Sequence, residues 1–138
     1  MGEKLLRIGT TYIPVTNVDL SSDWYVKKLN AELSYKDQDK AILNFANQSI
    51  FLVKSDKNQS ANFFDIYGNE RFSLTFEVNG LNALEAIHKD FKQNEIRVEE
   101  IEDRGHAGRN FVFYDLDDNK FDVWSELSPI FKEKFLTS

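Results

Sequence analysis

Residues 72–91 read Phe-Ser-Leu-Thr-Phe-Glu-Val-Asn-Gly-Leu-Asn-Ala-Leu-Glu-Ala-Ile-His-Lys-Asp-Phe. Phe72, Leu74, Phe76 and Val78 alternate with Ser73, Thr75 and Glu77, the period of two expected of a half-buried strand. After Asn79 and Gly80 the period changes. Leu81, Leu84, Ile87 and Phe91 recur every three or four residues, supported by Ala83 and Ala86, which predicts an amphipathic helix. Downstream, Ile96–Ile101, Arg109–Tyr114 and Lys120–Trp124 read as three further strands, the last two joined by the turn Asp115–Asn119. The order is βαβββ.

Upstream the same order recurs. Ile8–Val15 alternates, with Thr11, Ile13 and Val15 on one face and Thr10, Tyr12 and Pro14 on the other, and Pro14 marks an edge or a strand end. Beyond Asn17, residues Leu20, Trp24, Val26 or Lys27, and Leu29 fall at helical spacing, with Asp19 or Ser21 able to cap the first turn. Ala31–Tyr35, Ala41–Phe45 and Ile50–Val53 alternate again, separated by turn-rich Lys36–Lys40 and Asn47–Gln48. Laid over one another, the repeats set Val15-Thr16-Asn17-Val18 against Val78-Asn79-Gly80-Leu81, and Ala41–Phe45 against Arg109–Phe113. The duplication is one of element order, not of letters. The chain is therefore expected to be a single α+β domain over residues 1–138. Module one covers about 7–54, a linker 55–70, module two about 71–126, and a tail 127–138 whose Pro129, Ile130, Phe131 and Phe135 suggest a short helix packing on the domain or on a partner subunit.

Composition narrows the function classes. At 138 residues, with 41% hydrophobic and 29% charged residues, the chain can bury about two-thirds of its unfolded surface. The absence of Cys excludes disulfides, thiolate nucleophiles and Cys-bound zinc together. A net charge of −6 with scattered basic residues argues against nucleic acid as a partner. No stretch is long and apolar enough for a membrane span, and residues Met1 to Gly9 lack a signal-peptide core, so the expected location is the cytoplasm. The 12 Phe residues fit either an aromatic cavity or an ordinary core.

Three segments carry a family resemblance. Pro14-Val15-Thr16-Asn17-Val18-Asp19-Leu20-Ser21-Ser22-Asp23-Trp24-Tyr25, with Lys28-Leu29, resembles the opening of vicinal oxygen chelate proteins. Phe76-Glu77-Val78-Asn79-Gly80-Leu81 resembles the start of their second module, and the run Phe113-Tyr114-Asp115-Leu116-Asp117-Asp118-Asn119-Lys120-Phe121-Asp122 is similar to their closing hairpin. That superfamily includes glyoxalases, extradiol dioxygenases, fosfomycin-modifying enzymes and bleomycin-resistance proteins. The resemblance implies a curved mixed sheet around a central cavity, helices on its convex face, and a homodimer. Metal-dependent members place His, Gln or Glu at positions that map to Thr10, Phe51, Ser73 and Asp122 here, so a metal centre is not expected and no cofactor is assigned. His88 is expected to be an exposed helical residue, and His106 to decorate a glycine-flanked loop or move with it over a ligand.

Strand parity then gives a candidate pocket. Residues two apart share a face, and if the ligand positions that the resemblance implies mark the concave one, Thr10 and Tyr12, Phe51 and Val53, Ser73, Thr75 and Glu77, and Asp122 and Trp124 are expected to point inward. Pairing Tyr114 with Phe121 adds Arg109, Phe111 and Phe113. The expected ligand site is Tyr12, Phe51, Ser73, Thr75, Arg109, Phe111, Phe113, Asp122 and Trp124, with no catalytic residue assigned. The competing reading is that Phe51, Phe111 and Phe113 merely fill the barrel, with Arg109 and Asp122 paired as a buried ion pair. The leading functional expectation is metal-independent binding of a small organic molecule, aromatic or cationic. The alternatives are a lyase or dioxygenase-like enzyme with an atypical or absent metal site, using Asp122 or Glu77 as base, and a purely structural module.

Overall fold

A computed structural model describes residues 2–136, with Phe135 described by its backbone alone; the expectations placed on Met1 and on the end of the tail lie outside the described residues. The chain divides into two units, residues 1–60 and 61–138.

In the first unit, β1 (Thr10–Val15) leads into α1 (Val18–Leu29), followed by β2 (Glu32–Lys36), β3 (Lys40–Phe45) and β4 (Gln48–Lys54). The strands form one sheet in the order β1-β4-β3-β2, with β1 parallel to β4 and the remaining pairs antiparallel. Ile13, Val15, Ala41, Leu43, Ile50 and Leu52 are buried on one face, against which α1 packs. The helix is capped by Asn17, whose Oδ1 accepts from the Leu20 N–H at 3.0 Å, in place of the expected Asp19 or Ser21. Its buried stripe is also rotated from the one expected. Val18, Ser21, Ser22 and Tyr25 face the sheet, whereas Leu20 is 62% exposed and Trp24 only half-buried. Small serines let the helix lie close to the strands, so Tyr25 becomes the buried aromatic and its ring meets Phe45 at 5.9 Å.

The second unit opens with a short hairpin, β5 (Phe63–Phe64) and β6 (Glu70–Arg71), inside the segment expected to be only a linker. Then come β7 (Leu74–Glu77), α2 (Leu81–Gln93), β8 (Asn110–Tyr114), β9 (Lys120–Trp124) and α3 (Pro129–Phe135). The sheet order is β7-β9-β8, with β7 parallel to β9. The expected strand Ile96–Ile101 is instead a tract held to β8 at single points. Its Glu99 N–H donates to Val112 O, and Glu102 and Asn110 exchange both backbone hydrogen bonds. From Glu99 to Glu102 the tract advances three residues while β8 advances two, a bulge that interrupts the ladder. The first unit has an irregularity at the same place, between Leu33 and Tyr35 of β2. The first unit thus carries the βαβββ order, and the second follows it with an irregular tract in place of its second strand.

Candidate functional site

The β8–β9 connection sets the geometry of the second sheet. Asp115 accepts from the backbone N–H groups of Asp117 and Asn119 and from Asn119 Nδ2, all within 2.9 Å, while Asn119 Oδ1 accepts from Ala61 N–H at 2.7 Å. Asp115 and Asn119 are both buried, so this turn is fixed from inside. Closing the turn on Asp115 and Asn119 pairs Tyr114 with Lys120 and Phe113 with Phe121. The expected pairing of Tyr114 with Phe121 is therefore one residue out of register, and such a slip moves every side chain of the strand to the other face.

Phe111 and Phe113 accordingly belong to the helix side, not to the face of Asp122 and Trp124. Both are buried: Phe113 lies 5.1 Å from Phe91 and 5.3 Å from Phe121, and Phe111 stands against Phe91 and His88. His88, expected on the surface, is buried as well. It follows Leu84 by four residues on the same stripe of α2, and its Nε2 hydrogen-bonds Glu99 O at 2.9 Å.

The opposite face carries the polar groups. Thr75 pairs with Asp122, Glu77 with Trp124, Val112 with Asp122 and Asn110 with Trp124, so these side chains share one surface. Asp122 is buried. Its Oδ2 accepts from Asn110 Nδ2 at 2.7 Å, and its Oδ1 lies 3.0 Å from Arg104 Nη2, an ion pair without a well-aligned N–H. Burial pushes the Asp122 carboxyl above its ordinary range, opposed by the Asn110 amide and the Arg104 charge. Partial burial acts against the Arg104 cation, yet Asp122 and Glu102 together hold its pKa above the ordinary value. One buried acceptor on this face, Asn110 Oδ1, has no donor.

Trp124 is half-buried, donates from Nε1 to Ala107 O at 2.9 Å, and meets the His106 ring edge-on at 6.0 Å. Arg109 stands apart: it pairs with Asp103 at 3.5 Å, and the partner expected of it, Asp122, belongs to Arg104. Ser73 is exposed and donates to Ala61 O. Glu77 accepts from the backbone N–H and the hydroxyl of Ser128, holding the start of α3. In the first unit, Tyr12 and Phe51 form a cross-strand ring pair at 4.9 Å on the face away from α1. Sequence reasoning thus brought Thr75, Asp122 and Trp124 together and missed Arg104 and Asn110. Asn110 was within reach of the parity argument had the turn been closed correctly.

On this face Asp122 is the carboxylate at a position where the resemblance would place a metal ligand, and Arg104 already pairs with it, whereas a divalent ion takes about three such ligands. Among the described residues no cluster of three His, Cys, Asp or Glu side chains could hold an ion. Nor is any described helix long and apolar enough to cross a membrane.

Each unit sets its first sheet strand parallel to its last, β1 on β4 and β7 on β9, with a helix following the first, an arrangement that fits the vicinal oxygen chelate class. The chain belongs to the Glyoxalase/Bleomycin resistance protein/Dioxygenase superfamily, whose family model matches residues 7–123. Among solved structures it is similar to the fosfomycin resistance protein FosX of Listeria monocytogenes, at 14% identity and a TM-score of 0.72, covering 90% of this chain and 96% of that one. Lactoylglutathione lyase of Agrobacterium tumefaciens gives 16% and 0.69, covering 89% and 96%. A glyoxalase family protein of Enterococcus faecalis gives 20% and 0.68, covering 86% and 97%. At such identities the likeness concerns the fold. No curated protein matches the chain.

Proposed function

We propose that this protein is a metal-independent small-molecule-binding member of the superfamily, with its ligand site on the face of the second sheet that carries Thr75, Asp122 and Trp124. The observation that carries the reading is the state of Asp122. At the one metal-ligand position that retains a carboxylate, the countercharge is supplied by Arg104 at 3.0 Å. Around it lie an indole for stacking, a threonine hydroxyl and the Asn110 amide, a combination that orients a small organic molecule. The enzymatic alternative needs a free base. Asp122 is engaged by Arg104 and Asn110, and Glu77 by Ser128, which weighs against either as a proton acceptor. The resemblance to the superfamily extends the proposal to a homodimer in the cytoplasm, for which sedimentation equilibrium and fractionation are the checks.

The test joins elemental analysis of the purified protein to a ligand screen read by tryptophan fluorescence. Substoichiometric metal is expected, together with ligand responses that Trp124→Phe removes and Trp24→Phe keeps. One zinc, nickel, manganese or iron per chain, whose removal by chelator abolishes binding, would overturn the reading.

A further inference from the structure

The loop from Asp103 to Gly108 is fixed at both ends. Before it, Glu102 exchanges two backbone hydrogen bonds with Asn110; after it, Arg109 N–H donates to Ser125 Oγ at 2.9 Å and Arg109 O accepts from Ser125 N–H. Gly105 and Gly108 both sit at positive φ, 85° and 80°, which glycine adopts freely. At Gly108 a Cβ would stand 2.7 Å from Trp124 Nε1 and 2.6 Å from Ser125 Oγ, so the loop lies directly on the site face. Three contacts seat it there: Ala107 O on the indole, the His106 ring against Trp124, and Arg104 on Asp122.

The third contact is the informative one. The Arg104 side chain is 27% exposed, its guanidinium lies 5.8 Å from the Phe72 ring centroid, and it answers Asp122 on one side and Glu102 on the other. Without this arginine the site keeps two carboxylates and a donor-seeking amide oxygen on Asn110, with the Phe72 ring beside the place the guanidinium leaves and Trp124 on the same sheet face as Asp122. Such a constellation fits a compact planar cation that carries several N–H donors.

Resting on the binding reading above, the geometry points to Arg104 as an internal occupant, a guanidinium that the chain places in its own pocket. The ligand is then a small guanidinium or amidinium compound that takes Arg104's place on Asp122 and swings the Asp103–Gly108 loop aside. The loop arginine competes with the ligand and sets a threshold for binding: the open state has to be populated before the ligand enters, which lowers the apparent affinity of the intact protein.

The experiment titrates methylguanidinium chloride into the wild type, Arg104→Ala and the double variant Arg104→Ala/Asp122→Asn, following Trp124 fluorescence and the melting temperature. Arg104→Ala should bind methylguanidinium roughly tenfold or more tightly than the wild type, with a matching rise in melting temperature, since it has no internal competitor. The double variant should show neither. A response of Arg104→Ala no larger than that of the double variant overturns the inference, as does wild-type affinity equal to that of Arg104→Ala. Should Arg104→Ala fail to fold, Arg104→Gln carries the same titration, because it keeps the side-chain bulk and removes the charge. Failure here in a metal-free protein removes the ligand class and leaves small-molecule binding standing. Stoichiometric metal in the wild type removes the metal-independent reading and leaves the Arg104 titration to be judged on its own result.

Discussion

The position occupied by Phe51 in the first unit is occupied by Asp122 in the second. Phe51 on β4 pairs with Tyr12 on β1, and Asp122 on β9 pairs with Thr75 on β7; Tyr12 precedes Val15 by three residues as Thr75 precedes Val78. The scaffold is the same, yet one open face presents an aromatic pair and the other a buried charge with a guanidinium upon it. The two units share a backbone pattern because the helix-side core needs only apolar volume. Its other face has no such requirement and is free to diverge.

The contrast between faces can be broken most forcefully at Phe113. It is 2% exposed among Phe76, Phe91 and Phe121, so Phe113→Ala should cost about 3–5 kcal/mol in urea denaturation. Phe51→Ala, at a half-buried site, should cost less than about 2 kcal/mol. Equal losses would mean that the face bearing Phe51 is as much a core as the one bearing Phe113.

Next in size is the charge that only the second unit carries. Arg104→Ala strands a buried carboxylate and should cost about 1–3 kcal/mol at neutral pH, below the range for fully buried pairs because the arginine is partly exposed; Asp122→Asn, which leaves only a part-exposed cation, should cost less. Burial raises the Asp122 pKa, so its contribution to stability is fully present below the ordinary carboxylate range and is lost as pH rises through the raised value. The penalty of Arg104→Ala should therefore shrink from pH 7 to pH 4 in matched denaturation curves. A penalty that grows on acidification would show that Asp122 is not the group left unpaired.

These two tests also mark where the sequence was readable. The switch from period two to period 3.6 at Asn79-Gly80, repeated at Asn17, shows both modules before any coordinate is known, because burial on one face imposes it. The face of α1 was misread since its buried stripe is built on Ser21 and Ser22, which carry no hydrophobic signal. The polar face of the second sheet was half-legible. Asp122 and Trp124 follow from parity on one strand, whereas Phe111 and Phe113 depended on a register that the Asp115 turn decides by hydrogen bonds internal to the loop. Arg104 was beyond pattern altogether, since a long side chain on an irregular loop chooses its partner in space.

A smaller effect separates the polar networks at the strands' edges. Tyr114, 6% exposed, donates its hydroxyl to Glu99 under the Arg97 guanidinium, 3.9 Å from its ring centroid. Tyr114→Phe should cost about 0.5–1.5 kcal/mol. Burial, then the Glu99 hydrogen bond, pushes its pKa up to about 12, so the contribution holds below the ordinary tyrosine value near 10 and is lost as pH rises through about 12.

The first unit's counterpart should matter least. Asp37 accepts from the Tyr35 hydroxyl at 2.8 Å, from the backbone N–H groups of Asp39 and Lys40, and from Lys40 Nζ at 3.3 Å. The Tyr35 hydrogen bond, followed by the Asp39 N–H, lowers its pKa to about 2, so the contribution is present above the ordinary carboxylate value and is lost as pH falls through about 2. The number of contacts matches or exceeds that of Tyr114, but every group in the cluster is open to solvent, where water and salt replace what a substitution removes. Asp37→Asn should therefore leave the urea midpoint at neutral pH where it was, while Tyr114→Phe lowers it. If Asp37→Asn lowers the midpoint as far as Tyr114→Phe does, the polar turn of the first unit is a structural element equal to the buried one of the second. The division between a merely packed module and a module organised around charge would then have to be redrawn.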